Sequence, residues 1–184
     1  MKIIVGISGA SGAIYGIRLL EELKKRKVET HLIMSRWGAV TIAKETDYTV
    51  EQVNALADKI YREDDVSAAI SSGSFQTGGM IVAPCSMKTL SGIANGYAED
   101  LMTRAADVCI KERRKLILVA RETPLNAIHL ENMLKLSRIG VEIMPPVPAF
   151  YSRPQSIDDI VNHTVGRIMD HIGLENRLFT RWGE

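Results

Sequence analysis

The 184-residue sequence has only two cysteines, Cys85 and Cys109, and they form no CxxC pair. A disulfide framework is thereby excluded, and the chain suits a reducing compartment. It also lacks any apolar run near the roughly 20 residues that cross a bilayer, and Met1 leads into a strand pattern rather than a secretory leader. The expected location is the cytoplasm, with no membrane partner. The four histidines, His31, His129, His163 and His171, lack ligand spacing of the HExxH type, so no metal is expected. A formal net charge of +1, with acidic and basic residues interspersed, gives no large field of one sign and no reason to expect general nucleic-acid binding. Asn162-His-Thr164 matches a glycosylation sequon, which has no meaning without a secretory route. Internal repeats and low-complexity tracts are absent.

What the chain does have is a regular alternation of strand and helix patterns. Its length suits a single domain over residues 1–184 rather than two. Residues 2–7 are a β-branched run without polar alternation, the pattern of a parallel strand covered on both faces. Ile14, Ile17, Leu20 and Leu23 then recur at helical spacing to about Lys25. Further strands are expected over 28–34, 60–62, 80–83, 116–120 and 141–144. Helical patterns lie over 36–44, 50–57, 98–111, 125–138 and 157–172. The alternation predicts a Rossmann-like three-layer α/β/α domain with a mostly parallel sheet. Pro145-Pro-Val-Pro148 breaks both periods and leads out of the last strand as a turn. Aromatic residues in the terminal segment 174–184 argue for docking at an active site or a subunit interface.

Two segments run from an apolar strand through a small, hydroxyl-rich turn into a helix. In Gly6-Ile-Ser-Gly-Ala-Ser-Gly12 the glycines let backbone approach a ligand, and Ser8 and Ser11 add hydroxyl donors. This is either a phosphate or flavin cradle or simply a tight strand-to-helix turn; it lacks the Gly-Lys-Ser/Thr ending of a nucleotide-triphosphate loop. In the second segment, Ser86, Thr89 and Ser91 follow Pro84-Cys85 at a strand exit, where open parallel sheets collect ligands. Cys85 has no adjacent histidine to activate it as a nucleophile, so packing or ligand contact is the simpler role.

Cationic residues Arg104, Lys111, Arg121, Arg138, Arg153 and Arg167 are spread over separate elements. Arg104 and Lys111 are close to two helical turns apart, so one helix face can present both. Such a cluster suits a phosphate that becomes more negative as its bond to carbon breaks; the bland alternative is a solvated charge. Arg121-Glu122 follows a buried strand directly, where Arg121 can hold an anion and Glu122 can move a proton, or both can merely cap the next helix. Phe150, Tyr151 and Trp182 offer aromatic faces to an apolar or cationic group, with packing as their alternative.

Taken together, Gly9-Ala-Ser-Gly-Ala13, Ala83-Pro-Cys-Ser-Met-Lys-Thr-Leu-Ser91, Arg104-Ala-Ala-Asp-Val108, Lys111-Glu-Arg-Arg114, Arg121-Glu-Thr-Pro-Leu125, His129-Leu-Glu-Asn-Met-Leu-Lys-Leu136, Pro154-Gln-Ser156 and Arg181-Trp-Gly-Glu184 resemble the UbiX/Pad1 flavin prenyltransferases. These lie within the homo-oligomeric flavin-containing Cys decarboxylase group. The resemblance spans nearly the whole chain. It implies an enzyme that joins a dimethylallyl group from dimethylallyl monophosphate to N5 and then C6 of reduced FMN, without a metal, supplying prenylated FMN to a UbiD-type decarboxylase. It also implies a homo-oligomer, commonly a dodecamer, with the active site where subunits meet.

By matching motif, Gly9, Ala10 and Ser11 would line the FMN site, with Ser35, Ser86, Met87, Thr89 and Arg121 as further contacts. Lys111, Tyr151 and Arg167 would bind the prenyl phosphate, with Arg104 nearby. Glu45 would manage phosphate protonation, Glu122 would remove a proton through Ser11, and Trp182 would flank the allyl group. The related phosphopantothenoylcysteine decarboxylases carry a catalytic histidine and a Pro-x-Met-Asn-x-x-Met-Trp segment. Here Asn95-Gly-Tyr-Ala-Glu-Asp-Leu-Met102 stands in the comparable region, which disfavours direct FMN-dependent decarboxylation of an aromatic acid or cysteinyl substrate. A non-catalytic flavin-binding protein is the remaining alternative.

Overall fold

The computed structural model describes residues 1–183; Glu184, the end of the last quoted motif, lies outside the described residues. Strands β1 (Lys2–Ile7), β2 (Glu29–Met34), β3 (Lys59–Tyr61), β4 (Gly79–Cys85), β5 (Lys115–Ala120) and β6 (Glu142–Ile143) form one sheet. Their order is β3-β2-β1-β4-β5-β6, and every neighbouring pair is parallel. The connections carry α1 (Ala13–Lys25), α2 (Arg36–Glu45), α3 (Val50–Asn54), α4 (Met87–Ala94), α5 (Leu101–Lys111) and α6 (Ala127–Arg138), and α7 (Ile157–His171) follows β6. This is the Rossmann-like three-layer α/β/α arrangement that the alternation predicts.

Successive strand side chains point to opposite faces, and both faces are covered. Ile3, Val5 and Ile7 of β1 pack with Ile17 and Leu20 of α1 and Val165 and Ile168 of α7. Ile4 packs on the other face with Val82, Leu118 and the α5 residues Leu101, Met102 and Ala105. Two-sided burial is why these strands carry no polar stripe.

The observed boundaries are tighter than the periodicity suggests, and side-chain chemistry explains where. Helix α3 stops at Asn54 rather than reaching 57, because Asp58 must turn back to accept from the Thr30 N–H at 2.8 Å and the Thr30 hydroxyl at 3.1 Å. Helix α5 begins at Leu101, not 98, where Asp100 accepts from the Thr103 N–H, and α6 begins at Ala127 behind the capping Asn126. Strand β6 shrinks to two residues against Ile117 and Leu118 of β5, and Pro145 follows closely.

The chain leaves β1 toward β2 on one side and returns at β4 on the other. The C-terminal ends of β1 and β4 therefore flank the switch point of the sheet, where such folds leave a crevice.

Candidate functional site

At the switch point Ser8 ties the two turns together, its backbone N–H donating to the Pro84 carbonyl at 3.2 Å and its hydroxyl adding two further bonds. Ser8, buried at the end of β1, donates from Oγ to the Pro84 carbonyl at 2.8 Å and accepts from the Ser86 N–H at 2.8 Å. Its expected part as a donor to ligand is thus corrected: the hydroxyl is committed to joining the turns. Beyond it, Gly9 passes so close to α2 that a Cβ would stand 2.3 Å from Cβ of Trp37. Gly12 has φ 99°, a left-handed conformation that glycine adopts without strain. Among the described residues, the N–H groups of Gly9, Ala10 and Ser11 have no protein acceptor.

Helix N-termini line this edge. Ser35 caps α2 by accepting from the Gly38 N–H at 3.0 Å, and Ser86 caps α4 by accepting from the Thr89 N–H at 3.3 Å, with its Oγ 3.1 Å from the Thr89 hydroxyl. A capping serine uses a lone pair, so the caps of Ser35 and Ser86 do not consume their hydroxyl protons. Among the described α-helices, α1 alone receives no cap from its own N-cap side chain. Glu45, the last residue of α2, supplies the carboxylate instead, accepting from the Gly12 N–H at 2.7 Å and the Ala13 N–H at 3.4 Å. An anionic oxygen thus already rests where backbone N–H groups and the helix dipole favour it.

Strand β5 adds a third turn. The Arg121 N–H donates to the Cys85 carbonyl at 3.1 Å, which sets Arg121-Glu122 beside the Ser86 turn. Glu122 is exposed and accepts from the Thr123 N–H at 2.9 Å. Tyr15, in the first turn of α1, was not singled out by sequence. Burial pushes its phenol above the ordinary range, and the Arg121 charge pulls it partly back. Cys85 is fully buried, and burial pushes its thiol well above the ordinary range, so no ready thiolate nucleophile exists there. Met87 is half-buried against the core.

A second group of expected residues gathers around α7. Tyr151, on the segment leading from β6, lies with its Oη 3.0 Å from Nε2 of His163, and its ring meets Trp182 edge to face at 5.3 Å. Arg167 lies one turn beyond His163 and reaches Asp170 at 3.4 Å. The terminal segment docks on α7 of its own chain: Asn176 donates to the Gly166 carbonyl, and Arg181 makes two bonds to Asp170 at 2.8 and 3.0 Å. His163 is the hub that sequence reasoning missed; its place four residues before Arg167 was the available signal.

The third group stays apart within one chain. Arg104 on α5 donates to the Ser71 carbonyl at 3.2 Å and to Asp107 at 2.9 Å. Lys111 ends the same helix beside Gly73, paired with Glu112 at 2.6 Å, four residues before β5 starts. Helix α5 runs antiparallel to the strands, so Lys111 stands at the opposite edge of the sheet from Ser11, roughly 16 Å along the helix axis from its start.

An open cavity of about 640 Å³, lined by Met34, Arg36, Trp37 and Lys88 among others, adjoins the switch edge. Another of about 570 Å³ lies between the β6 edge and α7, with Glu142, His163, Arg167 and His171 in its wall. Among the described residues no cluster of His, Cys, Asp or Glu is placed to hold a metal ion, and no helix is long and apolar enough to cross a membrane.

Known proteins decide the family. A family model described as Flavoprotein matches residues 1–169. The mitochondrial flavin prenyltransferase PAD1 of Saccharomyces cerevisiae is 60% identical over 181 residues, which cover 98% of this chain and 75% of that protein. The chain belongs to the UbiX/Pad1-like flavin prenyltransferase family. Among solved UbiX structures, AnUbiX (PadA1) in complex with FMN and dimethylallyl pyrophosphate is 52% identical, with a TM-score of 0.98 and 100% and 97% of the two chains covered. The dodecameric FMN-dependent Ubix-like decarboxylase from Escherichia coli O157:H7 is 57% identical, with a TM-score of 0.98 and both chains fully covered. A UbiX/Pad1-like chain is what the separated motifs announced, and the likeness extends over the entire fold.

Proposed function

We propose that the protein transfers a dimethylallyl group from dimethylallyl monophosphate to reduced FMN, making prenylated FMN for a UbiD-type decarboxylase. The observation that carries this reading is the joining of the Gly9–Gly12 and Ser86–Thr89 turns through Ser8, with the Gly9, Ala10 and Ser11 N–H groups left open beside them. The residues fit FMN: open N–H donors and the Ser35, Ser86 and Thr89 hydroxyls suit its polar edge and phosphate, Met87 offers an apolar contact, and Arg121 adds charge. Bound and reduced, FMN supplies the nucleophilic N5 and C6 positions.

The chain's own work is to hold a leaving phosphate and to move protons. As the allylic C–O bond breaks, its electron pair stays on the phosphate, and Lys111, Tyr151, Arg167 and Arg104 offset the growing charge. Glu45 manages the proton on that phosphate, and Glu122, through Ser11, takes the proton lost on ring closure. Trp182 gives the allylic carbon a non-nucleophilic face. Since Lys111 stands at the far edge of its own sheet, it reaches the site from a neighbouring copy, with Arg104 nearby across the assembly. Assembly as a homododecamer is supported by the dodecameric relative and by exposed apolar residues on α6, Ile128, Leu130 and Leu134. A reducing, cytoplasmic setting is supported by two buried cysteines that remain free.

The deciding experiment incubates the protein with reduced FMN and dimethylallyl monophosphate and weighs the flavin. Gain of one five-carbon unit is expected. Unchanged flavin with carbon dioxide released from an aromatic acid or a cysteinyl peptide would favour a decarboxylase, and FMN uptake with neither reaction would favour a storage role. Because a relative was solved with the pyrophosphate ester, a parallel arm with dimethylallyl pyrophosphate settles which leaving group the chain accepts.

A further inference from the structure

The structure assigns His163 as the positioning residue for Tyr151, its Nε2 fixing the phenol oxygen so that the phenolic proton faces an anionic oxygen of the substrate. The assignment rests on the prenyl-phosphate reading, in which Tyr151 meets that phosphate. Its geometry is independent. His163 lies 3.0 Å from the Tyr151 oxygen through Nε2, and its ring meets Tyr151 at 5.6 Å and Phe179 at 4.7 Å, both at steep interplanar angles. Phe179 comes this close because residue 166 is glycine; a Cβ there would stand 2.5 Å from the Phe179 ring. Trp182 also meets the Tyr151 ring edge to face at 5.3 Å. The imidazole, in contact with two rings, therefore has restricted freedom to turn, and the phenol ring touches both His163 and Trp182.

The chemistry chooses the tautomer. Tyrosine has one hydroxyl proton, and the ionised phosphate oxygen it faces can only accept. If Tyr151 gave that proton to His163, the phosphate would meet a lone pair. The contact must instead draw its hydrogen from Nε2–H, leaving Nδ1 unprotonated in the neutral ring. Burial, and then the Arg167 charge, hold the imidazole below its ordinary range, which favours the neutral ring. Arg167, one turn along the same face, provides the charge while His163 provides direction. Glu142 and His171 share the cavity wall.

The test is steady-state prenylation of reduced FMN by the full-length protein, with dimethylallyl monophosphate varied. His163→Phe keeps the ring packing and removes the donor. It should raise KM for the prenyl phosphate about tenfold, the size expected if the mispositioned Tyr151 loses its hydrogen bond to the charged phosphate, while FMN affinity stays put. His163→Gln, which returns an N–H near the Nε2 position, should recover most of the loss. In a Tyr151→Phe background, His163→Phe should add less than twofold. Nitrogen-15 spectra of the wild-type imidazole, recorded with dimethylallyl monophosphate bound, should show the proton on Nε2, and this reading needs no variant that folds. Unchanged KM in a folded His163→Phe, its full effect persisting without the Tyr151 hydroxyl, or a proton on Nδ1 would each overturn the assignment while prenyl transfer by the wild type stands. Wild-type protein that leaves the flavin unaltered would instead overturn the parent reading and this one with it.

Discussion

The switch edge and the α7 surface hold residues of the same proposed site, yet they are built differently. At the edge, Ser8, Ser35 and the strand ends are buried, and the contacts that fix them run largely through backbone atoms. On α7, Tyr151 is 41% exposed and Trp182 81% exposed, and side-chain rings and ion pairs hold them. The first region is a finished mould within one chain. The second, under the proposed function, is a half-site: it is ordered by its own contacts and exposed, and a neighbouring copy would close it.

The harshest way to break that contrast is to strike the mould at its tightest point. Gly16, in α1, lies where an added Cβ would stand 2.2 Å from the Ala83 carbonyl oxygen and 2.9 Å from Ile7. In an open helix, Gly→Ala helps by about 1 kcal/mol; here the backbone of β4 cannot yield cheaply. Gly16→Ala should therefore destabilise by about 3 kcal/mol, seen as a lowered midpoint in urea. A midpoint at or above the wild-type value would show that the edge is not rigid.

Ser8→Ala asks whether that rigidity serves binding. It removes both bonds of the hydroxyl and leaves the Ser86 N–H without its partner, at a cost of about 2 kcal/mol, while the backbone bond from residue 8 to the Pro84 carbonyl remains. If the clasp aligns the two turns, FMN affinity should fall as well, measured by titration of the folded variant. Loss of stability with unaltered affinity would make Ser8 a packing residue only.

The two regions also differed in how much of them could be read from sequence. The mould was legible because β-branched strands followed by small turns imply it locally: Gly9-Ala-Ser11 and Ser86-Met-Lys-Thr89 sit where the strand ends were expected. The clasp was not, since nothing in the sequence says that Ser8 faces Pro84, 76 residues on, rather than a ligand. Glu45 capping a helix 33 residues earlier is likewise a product of tertiary packing. Around α7, resemblance named Tyr151, Arg167 and Trp182, but His163 had only its spacing to recommend it. Arg104 and Lys111 share α5 as their spacing implied, yet the antiparallel course of that helix carries Lys111 away from the switch edge, a fact of topology rather than of periodicity.

The gentlest probe addresses how the half-site keeps its shape. Asp170 receives two bonds from Arg181 and one from Asn176 at 2.9 Å, with Arg167 at its margin, and these partners anchor the segment that ends in Trp182. The Arg181 hydrogen bond holds the Asp170 carboxyl below its ordinary range, although burial opposes this. A carboxyl depressed in the folded state stabilises at pH values above its unfolded pKa, and that contribution is lost as pH falls through the folded value. Docking should therefore be intact at neutral pH and weaken only below the ordinary aspartate value of 3.8. Asp170→Asn should mimic the acid state at neutral pH, costing about 1 kcal/mol because the pair is partly exposed. The change should appear in Trp182 fluorescence of a Trp37→Phe background and as a weaker use of the prenyl phosphate, with FMN affinity preserved. Should Asp170→Asn loosen FMN as much as the prenyl phosphate, the mould and the half-site would be one mechanical unit, and the distinction between them would fail.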